Sequence, residues 1–344
     1  MFQSATPIAF FQQQINILQS QMAGVLDGRL DSIHDARIAT RRIREVLPLT
    51  HEWQRRHAAD DLFEKFKQAG RSLGKVRDAD VRIDLIHYLE SRIPHAAPSL
   101  VLVRQRQQRE RLVGMRKLVK RFERLGIGEE LSRLSSGAAW RGSRFWVKRT
   151  GVWRQQLRHL IAERGHAAAD AVVHATGVYF PNRAHAARIA IKKFRYAVEI
   201  GAHTGIVADD EALLRPLKKS QDLLGEMHDR QTLIDELTTQ IDEASGFDAS
   251  QIALVARVAE AEIADLHARV LARRERVVDA CCAARRAVHR TELPVRAIAV
   301  AGAVALTGFG ARRQLRALRQ SSARDSTREV SVRIPLSVAA DHQR

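Results

Sequence analysis

The chain has 344 residues, 45% of them hydrophobic and 5% aromatic, which supports real cores and excludes wholesale disorder. Lys and Arg number 57 against 39 Asp and Glu, a formal net charge of +18. Such an excess repels itself and attracts anions, so the expected partner is a polyanion: nucleic acid, an anionic membrane or a phosphate polymer.

Ala, Leu, Arg, Glu and Gln dominate most segments and favour helix, and alternating β-branched runs are nearly absent. The N-terminal MFQSATPIAFFQQQ has no basic residue ahead of its short apolar stretch, so it does not read as a secretory signal. Helices are expected over about 6–26, 33–56, 59–91 and 97–125, separated at Asp27-Gly28, near Ala58–Asp60, and at Pro94 and Pro98. The Gly- and Ser-rich stretch 126–143 reads as a linker. Four more helices are expected over about 145–176, 183–204, 209–243 and 250–288, with breaks at Gly177, Pro181-Asn182, Gly205 and Ser245-Gly246. Cys281 and Cys282 make no disulfide framework and read as small apolar residues on a helix. No Cys/His metal spacing occurs, so neither metal nor cofactor is expected. The apolar segment 297–310 is too short to span a bilayer, and 291–344 reads as a mobile or loosely attached tail. A reducing, cytoplasmic setting fits these features.

The two sets of helices carry one pattern twice. IHDARIATRRIRE (33–45) matches AHAARIAIKKFRY (184–196), placing His34 with His185, Arg37 with Arg188, Arg41 and Arg42 with Lys192 and Lys193, and Arg44 with Arg195. The same offset holds some forty residues on. KQAGRSLGKVRDADV (67–81) aligns with KKSQDLLGEMHDRQT (218–232), so Lys67 meets Lys218, Gly74 meets Gly225 and Asp78 meets Asp229. Two motifs in one ungapped register indicate a duplication.

On a helix at about 100° per residue, Ala36, Ala39, Ile43, Val46 and Leu47 form an apolar stripe that must face a core. His34, Arg37, Arg41 and Arg44 lie on the opposite side, with Arg42 flanking and Glu45 placed to pair with Arg41 at i+4. His185, Arg188, Lys192 and Arg195 repeat the stripe, with Tyr196 where Glu45 stood. Like charges one turn apart destabilise a helix, and their complement is a row of anions. Arginine suits phosphate because its planar fork donates two hydrogen bonds at once. A lone stripe of this kind is ordinarily a solvated face. Its survival in both copies, where Arg71 has become Asp222, argues for binding. Lys67, Arg71, Lys75 and Asp78 add a basic face on the third helix. Gly74 beside them points to close approach of another helix or of ligand. Asp78 and Asp229 read as orienting partners for basic side chains, not as catalytic acids. The fourth helix is also basic, from Arg104 to Arg124 with only Glu110 and Glu123 among its cations, and Leu112, Met115, Val119 and Phe122 are its expected buried stripe. Its counterpart carries Glu260, Glu262 and Asp265, so the binding surface is expected to be asymmetric.

The segments HDARIATRRIR, HAARIAIKKFRY, SLGKVRDADV and LLGEMHD resemble the conserved histidine α-helical domain, CHAD, over roughly residues 6–290. The resemblance implies an all-α fold of two four-helix bundles related by a pseudo-two-fold axis, with long helices and basic residues lining a central groove or channel. Copy one would span about 6–125 and copy two about 145–288. The resemblance also implies binding of inorganic polyphosphate, association with polyphosphate granules and their protein partners, and no catalysis. Carried over by motif, the site comprises His34, Arg37, Arg41, Arg42, Arg44 and Lys67 with Arg71 from copy one. Copy two contributes His185, Arg188, Lys192, Lys193, Arg195 and Lys218. Many relatives carry an N-terminal CYTH domain that handles triphosphates. No E-x-E-x-K segment occurs here, so the chain resembles a stand-alone CHAD protein.

A nucleic-acid binder is the second reading, since charge suits it equally. Few aromatics interleave with the basic residues, which disfavours a stacking platform. Enzymatic action on phosphate chains is the third, disfavoured because Asp78, Asp80 and Asp229 stand isolated among bases and no P-loop, H-E-x-x-H or Ser-His-Asp pattern occurs.

Overall fold

Thr6 accepts a hydrogen bond from the Ala9 N–H at 3.3 Å, and Pro7 takes the first helical position, where its missing N–H costs nothing. These two residues start α1, Pro7–Leu26, in a computed structural model that describes residues 6–50, 56–136, 151–208, 211–243 and 246–290. Helix α2 (Leu30–Val46) runs into a 3-10 turn at Leu47–Thr50. The expected single helix over 33–56 therefore stops short, because Pro48 cannot continue an α-helical ladder. Helices α3 (Arg56–Arg92) and α4 (Ala97–Leu125) follow, joined through the 3-10 turn Pro94–Ala96.

The stretch expected as a linker over 126–143 contains helix α5, Ile127–Ser135. Gly126, at φ 59°, ends α4 in the left-handed conformation that glycine adopts without a Cβ penalty. Ile127, Leu131 and Leu134 then recur at helical spacing and are fully buried. Glycine and serine content masked that amphipathic turn. The second half follows with α6 (Val152–Ala175), α7 (Pro181–His203) and α8 (Glu211–Glu243). The helix expected over 250–288 is two helices, α9 (Gly246–Leu271) and α10 (Arg274–Arg290). The tail 291–344, its apolar segment 297–310, and 137–150 of the expected linker and of the helix expected over 145–176 lie outside the described residues.

Among the described residues the fold is all-α, with ten α-helices, and no helix is long and apolar enough to cross a membrane. Neighbours in sequence pack on each other in both halves: α1 on α2, α2 on α3 and α3 on α4, then α6 on α7, α7 on α8 and α8 on α9. The stripe Ala36, Ala39, Ile43, Val46 and Leu47 is buried as its periodicity requires. Helix α4 departs from expectation. Leu118 and Phe122 are buried, whereas Leu112 is 56% exposed, because the face turned to α3 runs through Leu100, Val103, Gln107 and Leu118. One large apolar cluster draws on both halves and includes the fully buried Phe11, Phe66 and Phe194. Truncating such a phenylalanine to alanine costs about 3–5 kcal/mol. A second cluster joins Leu85, Ile86, Leu89 and Leu100 to Leu233, Leu237, Ile252 and Val255. The two halves are therefore tied at both ends of the long helices, by apolar packing together with Tyr88 donating to Glu262 at 2.9 Å and Ser99 to Asp248 at 2.7 Å. Asp80 is buried and bonded to Arg111, which also donates to the Gly28 carbonyl at 2.8 Å. That clamp joins α3, α4 and the α1–α2 turn, a structural task.

Cys281 is buried and free, with burial pushing its thiol up to about 12. It behaves as a small apolar core residue.

Candidate anion-binding site

Helices α2 and α7 pack against one another, and their basic faces meet. The apolar stripes on their far sides dictate this orientation. With Ala36, Ala39 and Ile43 committed to one core, and Ala187, Ile191 and Phe194 likewise buried, the intervening cations have only the shared side left. Lys192 records the result. Its ammonium is pushed down to about 7, by burial first and then by Arg41, Arg188, Arg37 and Arg44. Arg37 is lowered by burial and by Arg41, with Asp78 opposing and Arg188 from the other half adding to the repulsion. Arg44 is lowered by burial and by Arg41, against the pull of Glu45 and Tyr196. Five cations from two helices thus occupy one partly desolvated volume.

Counterions there are scarce. Asp78 approaches Arg37 at 3.6 Å, but Arg41, Arg188 and Lys192 form no ion pair with a described residue. Glu45, expected to neutralise Arg41, instead pairs with Arg164 of α6 at 2.6 Å. The Arg44 Nε is buried without a hydrogen-bond partner among the described residues. Burying charge without a partner is costly, and an incoming anion relieves that cost. The geometry can receive a chain of phosphate-like groups between α2 and α7.

The glycines of the third-helix motif serve this arrangement. A Cβ on Gly74 would touch Arg37 Nε at 3.7 Å, and one on Gly225 would touch Arg188 Nε at the same 3.7 Å. Each guanidinium therefore lies across the bare backbone of the facing helix. Helix α3 also bares Gly70 beneath Thr40, where a Cβ would stand 3.2 Å from the hydroxyl.

The remaining residues of the motif divide into groups. Arg42 and Arg195 are drawn to Glu199 of α7, at 3.0 and 3.3 Å, so both carry a fixed counterion, and the Arg42 pair joins the halves. Arg195 also sits 5.3 Å over the ring of Tyr196. These two are set apart from the free cations by a glutamate four residues beyond Arg195, which the stripe pattern alone did not flag. Lys67 pairs with Glu64 at 2.7 Å. Lys193 and Lys218 are exposed. Arg71 is exposed too, on the crest of α3, and still acts on Arg44.

At the other end of the stripe, His34 is held below its usual range by burial and Arg77. His185 and His228 lie with ring centroids 4.8 Å apart, both lowered by burial and then by Arg188. Asp229 is raised, by burial first, with Arg188 pulling it down and Asp78 pushing it up. The paired motif aspartates of the two halves therefore sense one another across the junction of α3 and α8, among Arg37 and Arg188. His228 stands in the register of Arg77 of the first half. In space it supplies a further titratable donor beside His185.

Comparison with known proteins is consistent with this arrangement of helices. The model of the CHAD domain matches residues 9–238. The crystal structure of the CHAD domain from the plant Ricinus communis superposes with a TM-score of 0.56 at 22% identity, covering 79% of this chain and 90% of that one. PptA from Streptomyces chartreusis superposes with a TM-score of 0.53 at 13% identity, covering 83% and 98%. No curated protein matches the sequence. With the family model spanning well over half its length, the chain belongs to the CHAD-domain family.

Proposed function

We propose that this protein binds inorganic polyphosphate without turning it over, through the cations that α2 and α7 bring together. The single observation behind this reading is the crowding of Arg37, Arg41 and Arg44 with Arg188 and Lys192 in a partly buried space, where burial first and then those arginines push the Lys192 ammonium down to about 7. A repeating phosphate chain supplies one anionic oxygen after another to such a row, and the arginine forks match those oxygens in pairs. The reading includes a duplication: His34, Arg37, Arg41 and Arg44 are one copy of the device and His185, Arg188, Lys192 and Arg195 the other, and the two copies line a shared groove. Binding of this kind would carry the protein to polyphosphate granules in the cytoplasm. Catalysis forms no part of the reading, which assigns Asp78 and Asp229 to the neighbouring Arg37 and Arg188.

The test is a titration with long-chain polyphosphate at two salt concentrations, with duplex DNA of matched charge as competitor. Binding that weakens steeply with salt yet resists DNA is the expected result, by analogy with counterion release. Equal displacement by DNA would move the nucleic-acid reading to first place.

A further inference from the structure

A second basic surface lies outside the α2–α7 junction. Helices α3 and α4 enclose two adjoining cavities of about 640 and 560 Å³ that share Lys75, Gly114 and Lys117 in their walls. They form one furrow. Its floor is close because α4 presents Gly114 to α3, where a Cβ would meet Val76 Cγ2 at 3.3 Å. Its walls are cationic: Arg71 and Lys75 from α3, and Lys117, Lys120 and Arg124 from α4, none of them in an ion pair with a described residue. Among the described residues Arg121 donates to the neutral Gln68, at 3.0 Å. Glu64 and Glu110 at the rims are already engaged, by Lys67 at 2.7 Å and by Arg82 at 3.5 Å.

Two residues of α3 connect this furrow to the site between α2 and α7. Asp78 lines the furrow and pairs with Arg37, while Arg71 lines the furrow and repels Arg44. The crest of α3 is therefore common to both surfaces. From Arg109 to Arg124 the α4 wall runs about 22 Å at 1.5 Å per residue.

We infer that the α3–α4 furrow is a second binding track for the same polyanion, taking the part of a long phosphate chain that overruns the α2–α7 site. This rests on the polyphosphate reading and adds to it a preference for long chains, gripped on one half only. A phosphate polymer fits better than an acidic protein segment, since half of the furrow's lining residues are cations and Ala79, Val113 and Leu118 are its few apolar side chains. Lys117, Lys120 and Arg124 are exposed, so replacing them leaves the core intact.

The experiment compares the wild-type chain with a Lys117→Gln/Lys120→Gln/Arg124→Gln variant, checked for an unchanged thermal melt. Both are titrated with a short oligophosphate, with long-chain polyphosphate and with duplex DNA. The expected result is at least a tenfold loss for the long chain, a salt dependence shallower by about two to three released counterions, and unchanged affinity for the short one. Unchanged affinity for the long chain overturns the furrow while leaving the central reading standing. Equal losses for short and long chains also overturn it, by making the furrow the primary site, and a loss confined to DNA makes it a nucleic-acid surface instead. Wild-type protein that binds neither phosphate chain defeats the underlying polyphosphate reading itself.

Discussion

The two halves of the chain share their inner faces and differ in their outer ones. Within, Arg37 lies over Gly74 and Arg188 over Gly225 at the same distance. Without, α3 carries Arg71 and Lys75 where α8, in the same register, carries Asp222 and Glu226. Helix α4 follows the basic pattern of α3, whereas α9 carries Glu260, Glu262 and Asp265, with Glu262 holding Arg230 at 2.7 Å. Cations that meet across α2 and α7 are retained in both halves despite their mutual repulsion. Cations that face solvent have been kept on one half and replaced by acids on the other. Repulsion tolerated twice in a partly desolvated space is what the proposed polyanion would relieve. An outer face that differs between halves gives the molecule a direction.

The comparison breaks most severely at the inner pair. An Arg37→Gln/Arg188→Gln variant should lose about 100-fold in polyphosphate affinity, taking about 1.5 kcal/mol for each lost charge-assisted hydrogen bond. The same double exchange at exposed Arg276 and Arg286 should cost less than about threefold, as expected where only screened surface charge is removed. Titration of both variants at one salt concentration decides the matter. Equal losses would mean that position within the fold is irrelevant and that net charge alone binds.

Much of this arrangement can be read from the sequence, and the part that cannot has a common cause. The period of Ala36, Ala39 and Ile43 fixes which side of α2 is buried, and so fixes where His34, Arg37, Arg41 and Arg44 point. The same holds for Ala187, Ile191 and Phe194 on α7. What periodicity lacks is the partner helix. Arg42 and Arg41 are adjacent and alike in sequence, yet Arg42 finds Glu199 across the halves and Arg41 pairs with no acid among the described residues. Glu45 stands four residues from Arg41 but turns to Arg164, over a hundred residues away in the chain. Local spacing proposes ion pairs, and the long-range packing of α6 and α7 chooses among them. Helix α5 escaped for a different reason: glycine and serine content outweighed an apolar spacing of three residues, and only the α1 surface beneath shows what that spacing serves.

A smaller effect separates the electrostatics of the site from its shape. Lys192, at about 7 in the folded chain, is depressed from a usual value near 10.5. Between those values the unfolded chain binds the more protons, so this group makes stability rise with pH from about 7 to 10.5. Below 7 its repulsion by Arg37, Arg41, Arg44 and Arg188 is felt in full. A Lys192→Met variant should therefore melt higher than the wild type at pH 6, with the difference closing towards pH 10. On the proposed reading, bound polyphosphate would pull the other way, raising Lys192 along with His34, His185 and His228. Binding at pH 8 should take up about one proton, seen as a dependence of the calorimetric heat on buffer ionisation, and the variant should lose that uptake. A variant that melts as the wild type does at pH 6 would show the lysine to be solvated and the crowding to be without consequence.

The mildest change rebuilds the missing outer face. Asp222→Arg with Glu226→Lys gives α8 the two cations that α3 carries in the same register. Both residues are exposed, and the contact of Glu226 with Arg230 is long, at 3.9 Å. Arg230 is largely buried but keeps its shorter pair with Glu262 at 2.7 Å, and a long contact to an exposed glutamate contributes about 0–1 kcal/mol, so the melt should scarcely move. Affinity for long-chain polyphosphate should rise about two- to fivefold, and the salt dependence should steepen by about one to two counterions. The gain stays small because the α9 wall remains acidic, with Glu260 and Asp265 in place. If instead affinity rises as much as the inner double variant loses it, two exposed cations suffice to make a track, and the enclosed meeting of α2 and α7 is no longer what distinguishes the site.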